Sequence, residues 1–353
     1  MQNPFVTTYS KIPDNSYIPT EQTIEIVENF GYERPTESVY KITGVRGSGK
    51  TVLLAKVEEE ITLLNKDEWY VYRISPARDM LQQLLARLVE DFSGIKGSER
   101  KEKSVNISAK LLGLGGEVGI KSSKDDNYFD QGLEIEKLLK KVEASHKKIL
   151  IGVDEISKKS EVIEFVSEFG TWLRAGYPIF LVCTGLYENI EQLYNVPNLT
   201  FFRRATTVMT TSLNYIKMID IYRRYLGIET SEARKLADMT GGYAYAFQEL
   251  GVISFKNKNI KIEELKEKLK TELFAYSYEK IWEEMSDGDR KLACILIDKA
   301  EYKKEEVVSR MDKPNNYPVY RDRLIRKGIL KNKQGYIGFA LPYFGDYIKE
   351  YKM

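Results

Sequence analysis

Histidine appears once in this chain of 353 residues and cysteine twice. The two thiols, Cys183 and Cys294, sit in separate apolar runs, a usage that suits reduced, buried thiols in a reducing compartment. With His146 the lone imidazole, a zinc site is disfavoured. Its setting in Ala144-Ser145-His146-Lys147-Lys148 reads as a solvated helix end rather than a catalytic base. There is no run of 18 apolar residues and no signal-peptide pattern at the N-terminus, so the expectation is a cytoplasmic protein that does not enter a membrane. A strong charge of one sign is missing too. The net charge of +2 argues against a chain that binds polyanions over its whole surface. The balance is uneven: residues 287–353 carry 15 Lys and Arg against 10 Asp and Glu, a basic C-terminal segment on a mildly acidic body.

What the chain does have is glycine concentrated where it matters. Gly44-Val45-Arg46-Gly47-Ser48-Gly49-Lys50-Thr51 satisfies G-x-x-x-x-G-K-[ST]. The run 38–43 before it alternates like a half-buried strand, and the run from Val52 to about Leu64 has helical composition. Strand, glycine loop and helix fall in the order a phosphate cradle needs. The glycines let backbone N–H groups turn toward an anion, and the helix N-terminus adds partial positive charge. In this reading Gly44 through Val52 bind the nucleotide, Lys50 reaches the β- and γ-phosphates, and the Thr51 hydroxyl ligates Mg²⁺.

The length allows two or three domains. Residues 1–37 read as an extended arm with a short helix at 21–30. Strand-like runs at 38–43, 69–74, 148–153 and 179–183, with the run 198–208 leading into a last strand, alternate with helical runs at 80–92, 133–144 and 162–175. That alternation predicts an α/β fold with a doubly wound parallel sheet, whose ligands bind at the carboxyl ends of strands. Residues 93–127 break the pattern, and an inserted β-hairpin is expected within 97–127. From Thr211 the chain reads as all-helical, with helices at 214–225, 232–239, 244–255 and 263–283. The expected domains are 1–210, 211–284 and 285–353.

A second motif supports the first. Asp154-Glu155 follows the apolar run 148–153. An Asp at the carboxyl edge of a strand can hold Mg²⁺, and the adjacent Glu, on the other face of the pleat, can polarise an attacking water. A dehydrogenase fingerprint would need G-x-G-x-x-G and an acidic ribose binder instead. GTPase base-recognition motifs of the N-K-x-D type are absent, so ATP is preferred to GTP.

The order of these motifs resembles that of AAA+ ATPases, and especially the STAND-type and archaeal-type ATPases related to origin-recognition initiators. The resemblance covers roughly residues 1–345. Asn3-Pro4-Phe5 is similar to the segment that precedes the adenine pocket in that group. The resemblance implies that Thr184 is the sensor 1 residue, orienting the lytic water or touching the γ-phosphate. It implies that Arg203-Arg204 lie in the arginine-finger region, where a neighbouring subunit's guanidinium stabilises transition-state charge; a salt-bridged surface turn is the competing reading. Thr240-Gly241-Gly242-Tyr243-Ala244-Tyr245 resembles the start of the lid's sensor 2 helix, but Ala244 and Tyr245 supply neither the Arg of initiators nor the Pro of STAND proteins, which implies slow hydrolysis.

Residues 287–345 read as a winged helix-turn-helix, with helices at 290–299 and 304–311, a third capped by Asn315-Asn316 and stopped by Gly328, and a wing around 332–335. Between Arg310 and Lys333 eight basic residues face two acidic ones. Arg321, Arg323, Arg326, Lys327, Lys331 and Lys333 are the expected contacts to double-stranded DNA. A tail that docks a protein partner stays open beside this. Two functions follow: a Mg²⁺-dependent ATPase switch with a DNA-binding tail, or a poorly hydrolysing ATP- or ADP-gated scaffold whose tail docks a protein, with homo-oligomers possible in either case.

Overall fold

The computed structural model describes residues 2–8, 11–64, 67–93, 130–257 and 260–353; the hairpin expected within 97–127 lies outside the described residues. Five strands, β1 (Val39–Thr43), β2 (Trp69–Arg73), β3 (Lys148–Val153), β4 (Ile179–Gly185) and β5 (Thr206–Met209), form one parallel sheet in the order β2-β3-β4-β1-β5. β3 and β4 are the near-continuous apolar runs, and burial on both faces is what such runs require.

One face of the sheet is covered by α1 (Glu21–Gly31) and α2 (Lys50–Leu64). Ile26, Phe30, Leu53, Leu54 and Val57 pack there against Tyr40, Ile42, Leu150 and Val182. The other face carries α3 (Met80–Phe92), α4 (Gln131–Ala144), α5 (Ser160–Arg174), α6 (Tyr187–Tyr194) and α7 (Thr200–Arg204). Side chains of Thr20, Asp79 and Asp130 cap the first turns of α1, α3 and α4. One expectation is corrected here. β1 alternates in polarity but is not half-exposed; all five of its residues are buried, Lys41 and Thr43 included. The reason is position: β1 lies between β4 and β5, and both faces are covered.

The helical region comprises α8 (Tyr215–Leu226), α9 (Thr230–Thr240), α10 (Ala244–Lys256), α11 (Ile262–Leu273) and α12 (Glu279–Glu283). The single helix expected over 263–283 is interrupted by a π-helical turn, Phe274–Tyr278, between α11 and α12. The C-terminal segment holds α13 (Asp287–Ile295), α14 (Lys304–Val308), α15 (Tyr317–Arg326) and α16 (Phe344–Tyr351). It also holds an antiparallel sheet β6-β8-β7 formed by Tyr302–Lys303, Tyr336–Phe339 and Leu330–Lys333. α13 starts earlier than expected, because Ser286 and Asp289 form a capping box that fixes its first turn. The β7–β8 turn is tighter than expected: Gln334 and Gly335 both take positive φ, 50° and 86°, the pattern of a two-residue hairpin turn. The helical region and the C-terminal segment share one hydrophobic core. Phe274 and Tyr278 of the π-turn meet Phe344 and Tyr347 of α16 at ring-centroid distances of 5.1–6.0 Å.

Candidate phosphate-binding site

Between β1 and α2 the chain turns through Gly44–Gly49. Gly47 (φ 70°) takes a left-handed conformation that a Cβ would strain, and that Cβ would lie 2.3 Å from the Tyr243 hydroxyl. Lys50 opens α2, and its ammonium donates to the Gly44 and Val45 carbonyls, 3.0 Å each, closing the loop on itself. Burial, with Arg46 nearby, lowers the Lys50 ammonium to about 8. An anion bound here would reverse that cost by supplying the missing negative charge.

Thr51, one residue on, donates its hydroxyl to Asp154 Oδ2 at 2.9 Å. Asp154 stands just past the end of β3, beside Thr184 on β4, because the two strands pair in register, Val153 opposite Cys183. Thr184 is fully buried; it donates to Asp154 Oδ1 and accepts the Glu155 backbone N–H at 3.0 Å. Glu155 takes a left-handed φ of 57°, uncommon for a non-glycine residue, and its side chain is exposed. These five residues therefore meet at the carboxyl ends of adjacent strands. Lys50, Thr51 and Glu155 border a cavity of about 680 Å³ whose wall also includes Gly47–Gly49, Val52, Gly185 and Thr210; Asp154 and Thr184 stand directly behind that wall, bonded to Thr51 and to the Glu155 N–H.

The far wall comes from the helical region and the N-terminal arm. The Tyr245 backbone N–H donates to the Gly47 carbonyl at 3.0 Å, and the Tyr243 hydroxyl donates to the Arg46 carbonyl while lying 2.7 Å from the Ser277 hydroxyl. Ala244 and Tyr245 thus line the cavity, and Tyr245 meets the loop through its backbone N–H; neither supplies a guanidinium. Phe5 is buried against Tyr222 and Phe247, and the Val6 N–H donates to Gln248 Oε1 at 3.0 Å, which brings Thr7 and Thr8 to the cavity rim. Sequence reasoning missed Tyr243, Gln248 and Ser277. Only the Gly241-Gly242 break before Tyr243 signalled that this helix starts at a special place.

Arg203 and Arg204 lie exposed at the end of α7 and are not part of the cavity wall. The basic tail residues divide. Arg323 donates to the fully buried Asp289, with Nη2 at 2.7 Å, and Lys327, itself buried, pairs with Asp289 at 3.0 Å and with Glu188 of α6. Arg326 donates to the Tyr187 hydroxyl at 3.1 Å. Arg323 and Lys327 are tied to the buried Asp289, which corrects the expectation that all six basic residues face outward, while Arg326 stays exposed. Arg321 is half-buried and pairs with Asp322 at 2.6 Å, while Lys331 and Lys333 are exposed on the hairpin.

Residues 20–183 match a family model described as the KAP family P-loop domain, and residues 275–348 match one described as a domain of unknown function, DUF8462. No curated protein matches the chain at a significant level. Among solved structures the chain is similar to the Walker-type ATPase Paby2304 of Pyrococcus abyssi, with 11% identity, TM-score 0.57, and coverage of 94% of this chain and 96% of that one. It is also similar to the Aeropyrum pernix ORC2 protein in its ADPNP-ADP complexes, with 12% identity, TM-score 0.53 and coverage of 96% of each chain. The fold is that of an α/β P-loop NTPase with a parallel sheet. Among the described residues no helix is long and apolar enough to cross a membrane.

Proposed function

We propose that this chain binds ATP with Mg²⁺, hydrolyses it slowly, and uses the nucleotide state to control the position of its C-terminal tail. The observation that carries the proposal is the meeting of Lys50, Thr51 and Glu155 on one side of a 680 Å³ cavity, with Asp154 bonded to Thr51 and Thr184 to the Glu155 N–H directly behind them. The likeness to a Walker-type ATPase and to an ADPNP-bound protein supports it.

Lys50 exchanges the Gly44 and Val45 carbonyls for phosphate oxygens. Thr51 and Asp154 offer two hard oxygen donors 2.9 Å apart, and among the described residues no cluster of three or more His, Cys, Asp or Glu competes for a metal. That donor set fits Mg²⁺ shared with phosphates, which when bound neutralises charge on the transferring group. Glu155 accepts the proton of the attacking water, and Thr184 holds both Asp154 and the Glu155 backbone in place. Arg203 or Arg204, exposed on α7, acts on a neighbouring copy's phosphate. Slow turnover follows from a lid that meets the loop without a guanidinium.

The switch reading rests on contacts that reach the loop from the other domains. Arg46 pairs with Glu284 at 2.7 Å, and a Cβ on Gly328, at the end of α15, would lie 3.4 Å from the Val45 nitrogen. A change in the loop on binding is therefore felt by lid and tail together. The tail, read as a winged helix, contacts duplex DNA through the exposed Lys331 and Lys333 and Arg321. A second reading, a tail that docks a protein, is favoured by one observation. The outer side of α15 carries Val319, 60% exposed, while Arg323 and Lys327 are spent on Asp289. ATP turnover with and without duplex DNA, in wild type, Lys50→Ala and Glu155→Gln, tests the proposal. The expected result is no binding for the first variant and trapped ATP without phosphate release for the second. Unaltered turnover in Glu155→Gln removes that residue as base, and DNA-independent behaviour at low salt selects the protein-docking reading.

A further inference from the structure

Lys41 is a buried charge in the sheet that the proposed chemistry does not use. It is fully buried in the middle of β1, three residues before Gly44. Its partners are neutral. The ammonium donates to the Phe202 carbonyl at 2.6 Å, to the Tyr194 hydroxyl at 3.0 Å and, at 3.4 Å, to the Arg203 carbonyl. The rings of Tyr194 and Phe202 lie 4.5 and 5.1 Å from it. A lone ammonium is costly to bury unless its hydrogen bonds are complete, and here each N–H has an acceptor.

Those acceptors have a common address. Phe202 and Arg203 belong to the last turn of α7, a helix of five residues whose final carbonyls have no partner of their own in the helix. Such a short helix has little intrinsic stability, so its end is fixed by what grips it. Arg203 and Arg204 project from that same end and are exposed. We propose that Lys41 is a positioning residue: it fixes the end of α7, and so the direction of Arg203 and Arg204, from the strand that leads into the phosphate loop. A strand-borne ammonium thus ties the arginine pair to the loop within one subunit. The inference rests on the reading of those arginines as transition-state residues.

The test is a kinetic double-mutant cycle on the full chain. Lys41→Met keeps length and removes the charge; Arg203→Ala and Arg204→Ala remove the guanidinium groups. Lys41→Met is expected to lower kcat for ATP by about tenfold or more, with KM and nucleotide affinity within about twofold of wild type. Combined with whichever arginine variant is deleterious, it should cause no further loss. Amide exchange at 203–205 should quicken in Lys41→Met while that of α2 stays unchanged. Tyr194→Phe, which removes one acceptor and leaves the core apolar, should act in the same direction more weakly, and serves if Lys41→Met does not fold. Losses that multiply in the double variant, or a rise in KM that accounts for the whole effect, overturn the positioning role while leaving the arginines in place. Full activity in both arginine variants overturns the arginine reading and this inference with it.

Discussion

Replacing Asp289 by Asn isolates the charge that binds α15 to α13 and the tail to the sheet domain. The carboxylate is fully buried and accepts from Arg323 Nε at 2.8 Å, Arg323 Nη2 at 2.7 Å and Lys327 Nζ at 3.0 Å, while also taking the Ser286 N–H at 3.3 Å. Burial alone would raise this carboxyl, but the bonds from Arg323 and the charge of Lys327 outweigh it and hold it below its ordinary value. The stabilisation is therefore fully present above about pH 4 and is lost only as pH falls through the lowered folded value. Asn keeps the shape and turns an amide toward two cations. Breaking a buried pair from one side costs about 3–5 kcal/mol, and Lys327 keeps Glu188, so the lower end of that range applies. At about 1.4 kcal/mol per decade, 3 kcal/mol is roughly a hundredfold. Amide exchange in α13 reads it locally, which a single melting temperature of a multidomain chain does not. The expected result is about a hundredfold faster exchange in α13 for Asp289→Asn. Adding Lys327→Met should recover a large part of the loss, because the cost lies in the cation left behind. A double variant that exchanges as fast as the single would refute that account.

Three further outcomes are expected. Because burial holds Lys50 near 8 and a phosphate beside it would raise it, nucleotide binding should take up a proton in alkaline solution. Affinity should then fall by up to about tenfold per pH unit above pH 8, and calorimetry in buffers of different ionisation enthalpy should detect the uptake; a flat profile from pH 7 to 10 would exclude Lys50 as phosphate ligand. Gly47→Ala strains a φ of 70° and drives a methyl into Tyr243, so it should weaken ATP binding by about tenfold or more, corresponding to roughly 1–2 kcal/mol of strain, and unaltered affinity would show that the loop does not need this contact. Paired Lys331→Glu and Lys333→Glu should lower duplex affinity and reduce its salt dependence with no loss of ATP binding; an unchanged salt slope would remove the hairpin from any DNA surface.

The phosphate loop and the sheet were legible because their chemistry is local. Glycines at fixed offsets before Lys50-Thr51, and apolar strands ending in Asp154-Glu155 or Thr184, announce the loop and the strand ends within a few residues. What stayed hidden depends on tertiary partners. Lys41 looks like the solvent side of an alternating strand until β5 is placed beside β1. Arg323 and Lys327 look like a basic surface until α15 is packed on Asp289 and α6. α6 has a weak signal, since its only buried residues, Ile190 and Leu193, lie in a polar run. α16 is short, and only Phe344, Tyr347 and Ile348 mark its buried side. The π-turn at 274–278 has no marker at all in the sequence.

The grip of Tyr243 on the Arg46 carbonyl carries a consequence for where ligand binding is registered. A peptide group is rigid and trans, so aiming one C=O at the tyrosine aims the following N–H, that of Gly47, the opposite way. Tyr245 does the same to the next unit through the Gly47 carbonyl. The two contacts thus fix the peptide units on either side of Gly47 from the helical region, so a change in the loop on binding is passed to that region rather than absorbed within the turn.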